Sequence, residues 1–327
     1  MEFGVQISNN EWRQLKDRAQ AAEELGYDLV TIPDHLVMEG PEHQFNPEQV
    51  IYDAVMQAAV ISEVTKKVRI GHLVLCNLFR HPAVTAKALA SLDHLSAGRV
   101  FAGLGTGWTQ REFDMTGIAF PDIKARLRML DESLTCIKRL WTESEASFSG
   151  EFYKLTGAVS SPKPVQRPHP PILLGGGGKG LLRIAAKHAD VVNIISDSGK
   201  PGYISLAEVA KLTDESFRAK IKFLRDEAAK VGRNPAKIRI SNVIFTTMVT
   251  DSAATTQSMA AAMAPMFQTT PEGLIQSPMA LVGTPDECIR ELRRRRRDWD
   301  IDQFVFSNLT NETTEQLAKD VIPGARS

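Results

Sequence analysis

Short apolar segments alternate with longer segments of helical periodicity along the whole chain. The first pair is FGVQIS, which starts at Phe3, and a run from Glu11 to Leu25 that Gly26 ends. The other strand-like segments, in chain order, are DLVTI, KVRIGHLVLCN, RVFAGLG, ILLGGGG, ADVVNII, IRISNVIFTTMV and DQFVFSN. The other helical segments are Pro47–Val64, His81–Leu95, Asp122–Leu140, Leu181–His188, Asp214–Val231, Ser252–Met263 and Pro285–Asp298.

This alternation predicts parallel strands connected by crossover helices. Continuous apolar strands fit a sheet that is covered on both faces. Eight units in 327 residues predict a (β/α)8 TIM barrel with insertions, and an open doubly wound sheet is the alternative. We expect a single domain over residues 1–327, because no linker divides the chain. Insertions are expected around residues 141–171, where FSGEFYKL resembles a hairpin and a proline-rich connector follows, and around residues 264–282.

Composition argues against several classes of protein. With 43% hydrophobic residues the chain can bury a sizeable core, and 39 basic against 39 acidic residues leave no bulk charge for nucleic acid or anionic lipid. Glu2, Arg13 and Lys16 argue against a signal peptide, and no apolar run is long enough to span a bilayer. Three widely spaced cysteines predict neither a disulfide framework nor a metal site. We therefore expect a cytoplasmic protein without nucleic-acid, membrane or metal partners.

Polar residues follow several predicted strands at their carboxyl ends. In (β/α)8 barrels the active site lies at this end of the strands. The second strand runs into VTIPDHL and ends in Asp34 and His35, for which a helix cap and a packed turn are the structural alternative. The third runs into LVLCNLFRHP and becomes polar at Cys76 and Asn77 and then basic at Arg80 and His81, which again indicates a lined mouth. A helix start with Arg80 in a surface pair is the structural alternative. The fourth ends in GLGTGW, whose alternate glycines indicate the close approach of another backbone or a flat ligand, with the ligand favoured over packing against a neighbouring helix.

The fifth predicted strand ends in GGGGKG. Gly175, Gly177 and Gly180 satisfy G-x-G-x-x-G, and Asp197 lies at a tolerable distance for a ribose-binding acid, so a dinucleotide fold is an alternative. Four complete strand–helix units precede this motif, however, and no linker would separate a second domain. Lys179 is followed by Gly and Leu, which excludes a Walker A loop. Consecutive glycines before a helix expose backbone N–H groups that suit a phosphate.

Six stretches together resemble the bacterial luciferase-like superfamily of flavin- and deazaflavin-dependent oxidoreductases. They are LVTIPDHL, VRIGHLVLCNLFRHPAVTAK, LDHLSAGRVFAGLGTGW, FSGEFYKL, SSPKPVQRPHPPILLGGGG and LVGTPDECIREL, in family order within residues 3–307. The long blocks around RHP and GTGW are specific, whereas the glycine cluster alone is not. The resemblance implies a (β/α)8 barrel, usually dimeric, with a phosphate-bearing flavin or deazaflavin across its mouth.

The resemblance also assigns roles to residues. It places the cofactor phosphate on the backbone of Gly175–Gly178 and a non-prolyl cis peptide at Leu73–Val74 against the central ring. Asp34 and His35 match a pair typical of the branch that uses coenzyme F-420 (F420), an 8-hydroxy-5-deazaflavin, where the acid contacts the cofactor head and the histidine serves proton transfer. The expected cofactor-binding residues are Asp34, Leu73, Val74, Cys76, Asn77, Thr106, Gly107, Gly175, Gly176, Gly177 and Gly178.

One position departs from the family pattern. In the sugar-phosphate dehydrogenases of this branch, a carboxylate follows the last glycine of the fourth-strand motif, whereas this chain has Trp108. The exchange argues against a sugar phosphate and for a flatter or more apolar substrate, unless Trp108 belongs to the core. Glu112, one helical turn later, is expected to reach inward. The candidate catalytic residues are therefore His35, Trp108 and Glu112.

Three functions remain open at this stage. The PDH and GTGW motifs favour hydride transfer between F420 and a small organic substrate, by a homodimer. An FMN-dependent monooxygenase would need a separate flavin reductase as a partner, and a non-catalytic cofactor-binding protein is the third alternative. Five consecutive arginines, residues 293–297, are expected to form a solvated face of the last helix paired with acids, because consecutive helical residues point in different directions.

Overall fold

Eight parallel strands close into a barrel, which confirms the predicted (β/α)8 fold. The computed structural model describes residues 1–7, 11–37, 48–196 and 212–327. The strands are β1 (Glu2–Gln6), β2 (Leu29–Ile32), β3 (Arg69–His72), β4 (Leu75–Cys76), β5 (Val100–Gly105), β6 (Ala146–Ser149), β7 (Lys154–Ala158), β8 (Ile172–Gly175), β9 (Val191–Asn193), β10 (Arg239–Ile244), β11 (Thr246–Val249), β12 (Ala280–Gly283) and β13 (Ile301–Phe306). The barrel order is β1–β2–β3–β5–β8–β9–β10–β13. It closes because β13 pairs with β1, which excludes the open doubly wound sheet.

Helices cover the outside of the barrel. They are α1 (Trp12–Glu24), α2 (Ala54–Val64), α3 (Pro82–Leu95), α4 (Gln110–Thr116), α5 (Ile123–Thr142), α6 (Lys179–His188), α7 (Asp214–Lys230), α8 (Ala253–Met263), α9 (Pro271–Gln276), α10 (Pro285–Trp299), α11 (Asn311–Gln316) and α12 (Ile322–Arg326). Side-chain caps determine several starts: Asp122 accepts the N–H groups of Lys124 and Ala125, and Thr284 and Glu287 form a capping box. No helix within the described ranges is long and apolar enough to cross a membrane.

The hydrophobic core of the described residues has three clusters. The largest lies between the strands and the surrounding helices. A small second cluster, Leu29, Phe101, Leu173, Val191 and Val305, takes one residue from each of five barrel strands. A third, Met248, Phe267, Leu274, Ala280 and Val282, lies around β11 and β12. Side chains therefore fill the barrel interior, as in other barrels of this type, so a ligand of the barrel is expected at its mouth.

Three predicted elements differ from the observed ones. The segment KVRIGHLVLCN forms two strands, β3 and β4, with Leu73 and Val74 between them. The second helix begins at Ala54, because Asp53 caps it there by accepting the N–H groups of Val55 and Met56. The segment IRISNVIFTTMV forms two strands, because at Phe245 the backbone changes its partner from β13 to the turn before β12. β11 then pairs with β12 outside the barrel. The predicted helix start Pro47 and the acid Asp197 lie outside the described residues.

The predicted hairpin is present between α5 and β8. β6 and β7 pair antiparallel, and the N–H groups of Glu151, Phe152 and Tyr153 in their turn all donate to the Glu132 carboxylate of α5. Short elements that had no sequence prediction, α4, α9, β12, α11 and α12, complete the chain. The division into a single domain stays a prediction.

The arginine run is not wholly a solvated face, which corrects the prediction. Arg294 pairs with Glu291 and Asp214, and Arg296 and Arg297 also pair with acids. Arg295 is completely buried. Its guanidinium donates to the carbonyls of Ser277, Pro278 and Ala280, to Oδ1 of Asn242 and to Glu291. The turn before β12 supplies carbonyl oxygens that need donors, and Arg295 satisfies them.

Candidate active site

Asp34 and His35 directly follow β2, and different neighbours hold their side chains. The Asp34 carboxylate is buried, with 2% of its side chain exposed. Its Oδ2 accepts the N–H of Cys76 (2.9 Å) and Nη1 of Arg80 (2.7 Å), and its Oδ1 accepts Nη2 of Arg80 (3.1 Å). Asp34 therefore connects the end of β2 to the end of β4 and to the turn that follows.

Arg80 also contacts a second carboxylate. Its Nη2 donates to Oδ2 of Asp53 (2.6 Å), the residue that caps α2. Burial would raise the pKa of Asp53, but Arg80 and the capped N–H groups lower it below its ordinary value. Burial would likewise lower the pKa of Arg80, and the bonds to both carboxylates raise it instead. Arg80 is therefore part of an internal ion-pair network rather than the surface pair considered from the sequence.

His35 is held by Glu112, which reaches inward from α4 as predicted. Oε1 of the buried Glu112 accepts the N–H groups of Leu36 and Val37, and Oε2 lies 3.4 Å from Nδ1 of His35. The Trp108 ring meets the imidazole edge-on, with ring centroids 5.8 Å apart and planes at 84°. Nε2 of His35 has no hydrogen-bond partner within the described ranges. The geometry thus brings all three predicted catalytic residues together and leaves one ring nitrogen available.

The Leu73–Val74 peptide bond between β3 and β4 is cis, as the family resemblance implies. The Leu73 carbonyl accepts Nε2 of Gln6 (3.0 Å), and Oγ of Ser307 donates to Oε1 of Gln6 (2.6 Å). Three strands of the barrel therefore fix the position of this bond at the mouth.

The alternate glycines of β5 make room for protein atoms, and at Gly103 a close backbone, one of the two causes expected from the sequence, is present. A Cβ at Gly103 would lie 1.7 Å from the His72 carbonyl oxygen. A Cβ at Gly105 would lie 2.5 Å from Cγ2 of Val74, and one at Gly175 on β8 would lie 2.9 Å from Cγ1 of Val74. The neighbouring strand and the Val74 side chain are therefore sufficient to require glycine at these positions.

Gly107 and Cys76 also fit one another. Gly107 has φ +75°, which favours glycine, and a Cβ there would lie 2.8 Å from Sγ of Cys76. Burial raises the pKa of the Cys76 thiol to about 12, so the thiol is neutral at physiological pH. Cys76 therefore packs against Gly107 at the mouth as a neutral thiol, and its contact with a cofactor stays a prediction.

The glycine cluster leads from β8 into α6, as predicted. Gly178 is the N-cap residue and makes no side-chain cap, so backbone N–H groups at the start of α6 lack a capping side chain. Not every glycine of the cluster is explained by a ligand, because a Cβ at Gly177 would lie 2.0 Å from the Ile195 carbonyl oxygen. Gly178 has φ −74° and ψ 145°, a conformation that any residue can adopt.

Arg126 on α5 is a functional candidate that the sequence reasoning missed. Only 4% of the residue is exposed, and burial lowers the pKa of its guanidinium. Nη1 donates to the Gly107 carbonyl (2.7 Å), whereas Nε is buried without a hydrogen-bond partner in the part of the chain that is described. The next residue, Leu127, packs against the position of Gly180 in the first turn of α6. The guanidinium also stacks on the Phe120 ring, with Cζ 3.8 Å from its centroid. A buried cation without an acidic partner among the described residues is costly, so its Nε donor suits an anion.

Asn77 and Thr106 complete the mouth at the ends of β4 and β5. The Asn77 N–H donates to the Gly105 carbonyl (3.0 Å), and its buried side chain contacts the Tyr153 hydroxyl of the hairpin. Nδ2 of Asn77 has no partner among the described residues. Thr106 is half-buried, with its hydroxyl 3.4 Å from the Gly107 carbonyl. Both side chains retain hydrogen-bonding capacity toward a ligand.

Comparison with known proteins places this site in a family. A family profile described as luciferase-like monooxygenase matches residues 1–303. The chain belongs to this family. Its luciferase-like barrel contains no group of three or more His, Cys, Asp or Glu residues that could hold a metal ion, as far as the described residues go.

Individual relatives illustrate the range of the luciferase-like family. An F420-dependent glucose-6-phosphate dehydrogenase of Amycolatopsis mediterranei (strain U-32) is 28% identical over 335 aligned residues, 96% of this chain and 95% of the relative. A solved F420-dependent secondary alcohol dehydrogenase, in complex with an F420–acetone adduct, has a TM-score of 0.77 at 20% identity and covers 100% of this chain and 99% of its own. Riboflavin lyase with modified FMN has a TM-score of 0.79 at 15% identity, covering 100% of this chain and 91% of its own. At these identities the two structures show the fold alone.

Proposed function

We propose that this protein is an F420-dependent oxidoreductase that transfers a hydride between the deazaflavin C5 and a small organic substrate. The observation that carries the proposal is the His35–Glu112 pair at the end of β2, with one ring nitrogen available at the barrel mouth. The relative aligned with 96% of the chain is named for the same cofactor. An enzyme of this kind must hold the cofactor, orient the substrate and manage one proton.

The residues present fit a phosphate-bearing cofactor. The N-terminus of α6 at Gly178 offers backbone N–H groups without a side-chain cap, and Nε of the buried Arg126 has no hydrogen-bond partner among the described residues. Helix N-termini and guanidinium groups both bind phosphate. Asn77 adds a buried Nδ2 that has no partner in the same part of the chain. The ring system would then lie against the Leu73–Val74 segment, which the Gln6 bond holds in place.

The chemistry divides between the cofactor and the chain. When bound, the deazaflavin supplies a ring carbon that accepts or donates a hydride and reacts poorly with oxygen. In the oxidising direction, His35 takes the hydroxyl proton of an alcohol on Nε2 while the carbinol carbon loses its hydride. In the reducing direction, protonated His35 returns that proton to the substrate. Glu112 faces Nδ1 throughout, so it fixes the ring orientation and stabilises the imidazolium cation.

Trp108 supports a flat or apolar substrate. Its indole meets His35 edge-on, at the position where the sugar-phosphate dehydrogenases of the family have a carboxylate. The relative named for glucose-6-phosphate therefore does not define the substrate of this chain. We propose a small alcohol, carbonyl or activated alkene without a phosphate group as the substrate class.

We further propose a homodimer formed through α2. The outer face of this helix is apolar, with Met56 at 57% exposure next to Ala59 and Val60, and Glu63 is the only charged residue of the helix. Outer helix faces of monomeric barrels are usually polar. A second copy of the chain, as the family resemblance implies, would cover this face.

Anaerobic turnover tests the proposed function. Reduced F420 with enones, imines and nitroaromatics, and oxidised F420 with secondary alcohols, should give turnover without oxygen or a second protein. Fluorescence titration should show tight F420 binding and weak FMN binding. Activity that appears only with FMN, a flavin reductase and oxygen would overturn the proposal and establish a monooxygenase instead.

A further inference from the structure

Arg80 bridges two carboxylates at the edge of the site. Its two Nη atoms bond both oxygens of Asp34, and Nη2 also bonds Asp53. Only 15% of the Arg80 side chain is exposed, against 45% for Asp53 and 2% for Asp34. Three separate segments, the end of β2, the turn after β4 and the cap of α2, therefore meet at one guanidinium.

Asp34 is the member of this group that lies closest to the chemistry. It precedes His35 in the chain, and it accepts the N–H of Cys76, the last residue of the segment that begins with the Leu73–Val74 bond. Without Arg80, this deeply buried carboxylate would retain, among the described residues, only the Cys76 N–H as a donor. A buried carboxylate that loses its guanidinium partner is strongly destabilised where it lies. Its orientation would change, and the contact that holds β4 against the end of β2 would weaken.

We propose that Arg80 is a positioning residue for the reaction: by fixing Asp34 as an oriented carboxylate, it places His35 and the Leu73–Cys76 segment relative to each other. This inference rests on the proposed function. Arg80 acts through Asp34 and does not touch the substrate. The planar guanidinium group is essential, because the ammonium group of a lysine cannot bond both Asp34 oxygens and Asp53 in the same geometry.

The test compares Arg80→Lys and Arg80→Met with Asp53→Asn and a control, Arg128→Lys. Arg128 forms an exposed pair with Glu151, so its variant changes an arginine outside the site. Asn caps helices as well as Asp does, so Asp53→Asn removes one charge and preserves α2. Arg80→Lys should lower kcat tenfold or more with KM changed less than threefold, Asp53→Asn should lower it less, and the control should match wild type.

The division of the effect between kcat and KM provides a readout that a merely structural role would not move. Arg80 bonds Asp34 and Asp53, and through Asp34 it acts on the segment that carries His35. A change of position at His35 should therefore lower kcat and leave KM nearly unchanged. A KM raised by as large a factor as the loss of kcat would show that Arg80 binds the substrate directly, and would overturn the inference.

The rate of thiol labelling at Cys76 reports the position of β4 and does not depend on a measurement of activity. All three cysteines are buried, so a thiol reagent should label native wild type slowly. In Arg80→Met, Cys76 should be labelled at least tenfold faster, while Cys136 and Cys288 keep the wild-type rate, as peptide mass spectrometry would show. Unchanged Cys76 labelling in a folded variant would overturn the inference. If wild type shows no F420-dependent turnover, the proposed function fails, and labelling still decides whether Arg80 positions the segment.

Discussion

Single side chains at the mouth have separable tasks. His35 offers Nε2 to the substrate, and Glu112 combines an electrostatic contact to Nδ1 with two backbone bonds that hold the next two residues of the loop. Glu112 was predicted to reach inward, and the structure confirms its position. Its contacts make it a residue that positions His35, whereas its catalytic assignment stays a prediction.

Replacing His35 should separate chemistry from binding. We expect His35→Asn to lower kcat by roughly a hundredfold or more, the size of a lost acid–base group, with F420 affinity changed little. Glu112→Gln should lower kcat less, because the amide can still face the ring and the loop. Stopped-flow absorbance and fluorescence titration measure the two quantities. Wild-type kcat in His35→Asn would return this histidine to a structural role.

A carboxylate introduced at position 178 should weaken binding of the cofactor. The backbone there accepts any residue, and Asp is a good N-cap, so Gly178→Asp should keep or raise thermal stability. Its charge would compete with a phosphate for the N-terminus of α6, so F420 affinity should fall by roughly tenfold or more. Gly178→Asn, a neutral cap of the same size, should bind F420 more tightly than Gly178→Asp. Equal F420 affinity in both variants would show that the phosphate does not bind at the N-terminus of α6.

Elements of the barrel are joined by polar contacts that depend on pH. α5 and α6 meet at Asp131, whose carboxylate accepts Nε2 of His188 (2.7 Å) and Nζ of Lys187 (3.0 Å). The bond from His188 lowers the pKa of Asp131 to about 2. A carboxylate whose pKa falls on folding stabilises the fold above its unfolded pKa, and this contribution disappears as the pH falls through its folded pKa.

The Asp131 contact should therefore be visible as a pH-dependent difference. Asp131→Asn should have a lower free energy of unfolding than wild type at pH 7. The difference should shrink between about pH 4 and pH 2, since the ordinary pKa is 3.8 and the folded value is about 2. Urea unfolding at several pH values measures it. A difference that does not change between pH 7 and pH 2 would exclude an electrostatic origin.

At the scale of the whole molecule, periodicity predicted the fold well. Continuous apolar strands and helical spacing determine which segments are strands and helices, and eight alternating units leave few arrangements other than a closed barrel. The buried Arg126 and Arg295 were not predicted. A charged residue on the apolar face of a helix recurs at the same spacing as the core residues of that face. Arg126 precedes the buried Leu130 by one helical turn, and this spacing could have indicated its burial, whereas the charged neighbours of Arg295 hid the same pattern.

The sequence could not decide between a close backbone and a ligand at the glycines. Their neighbours, such as the His72 carbonyl at Gly103 and the Ile195 carbonyl at Gly177, are distant in sequence. A sequence shows that a side chain is missing but not what occupies the space. The polar ends of the strands were found correctly because all parallel strands of a barrel end at the same mouth.

Assembly through α2 gives a prediction at the same scale. Met56→Lys places a charge in the proposed interface without disturbing the core, because this side chain is mostly exposed. Wild type should elute as a dimer in size-exclusion chromatography with light scattering, and the variant should shift toward monomer. Met259→Lys on α8, also an exposed methionine, should stay dimeric. A monomeric wild type would contradict the proposed interface.

The wedge that Val74 forms between the ends of β5 and β8 has an evolutionary and engineering consequence. Gly105 and Gly175 both accommodate this one side chain, so positions 74, 105 and 175 should drift together rather than independently. Gly105→Ala should be poorly tolerated alone and rescued by Val74→Ala, which provides the missing space. A double-mutant cycle on the free energy of unfolding should therefore give a coupling of about 1 kcal/mol or more. Libraries that vary one of these positions at a time would mostly contain variants that do not fold. Libraries that vary two of them together could change the shape of the barrel mouth.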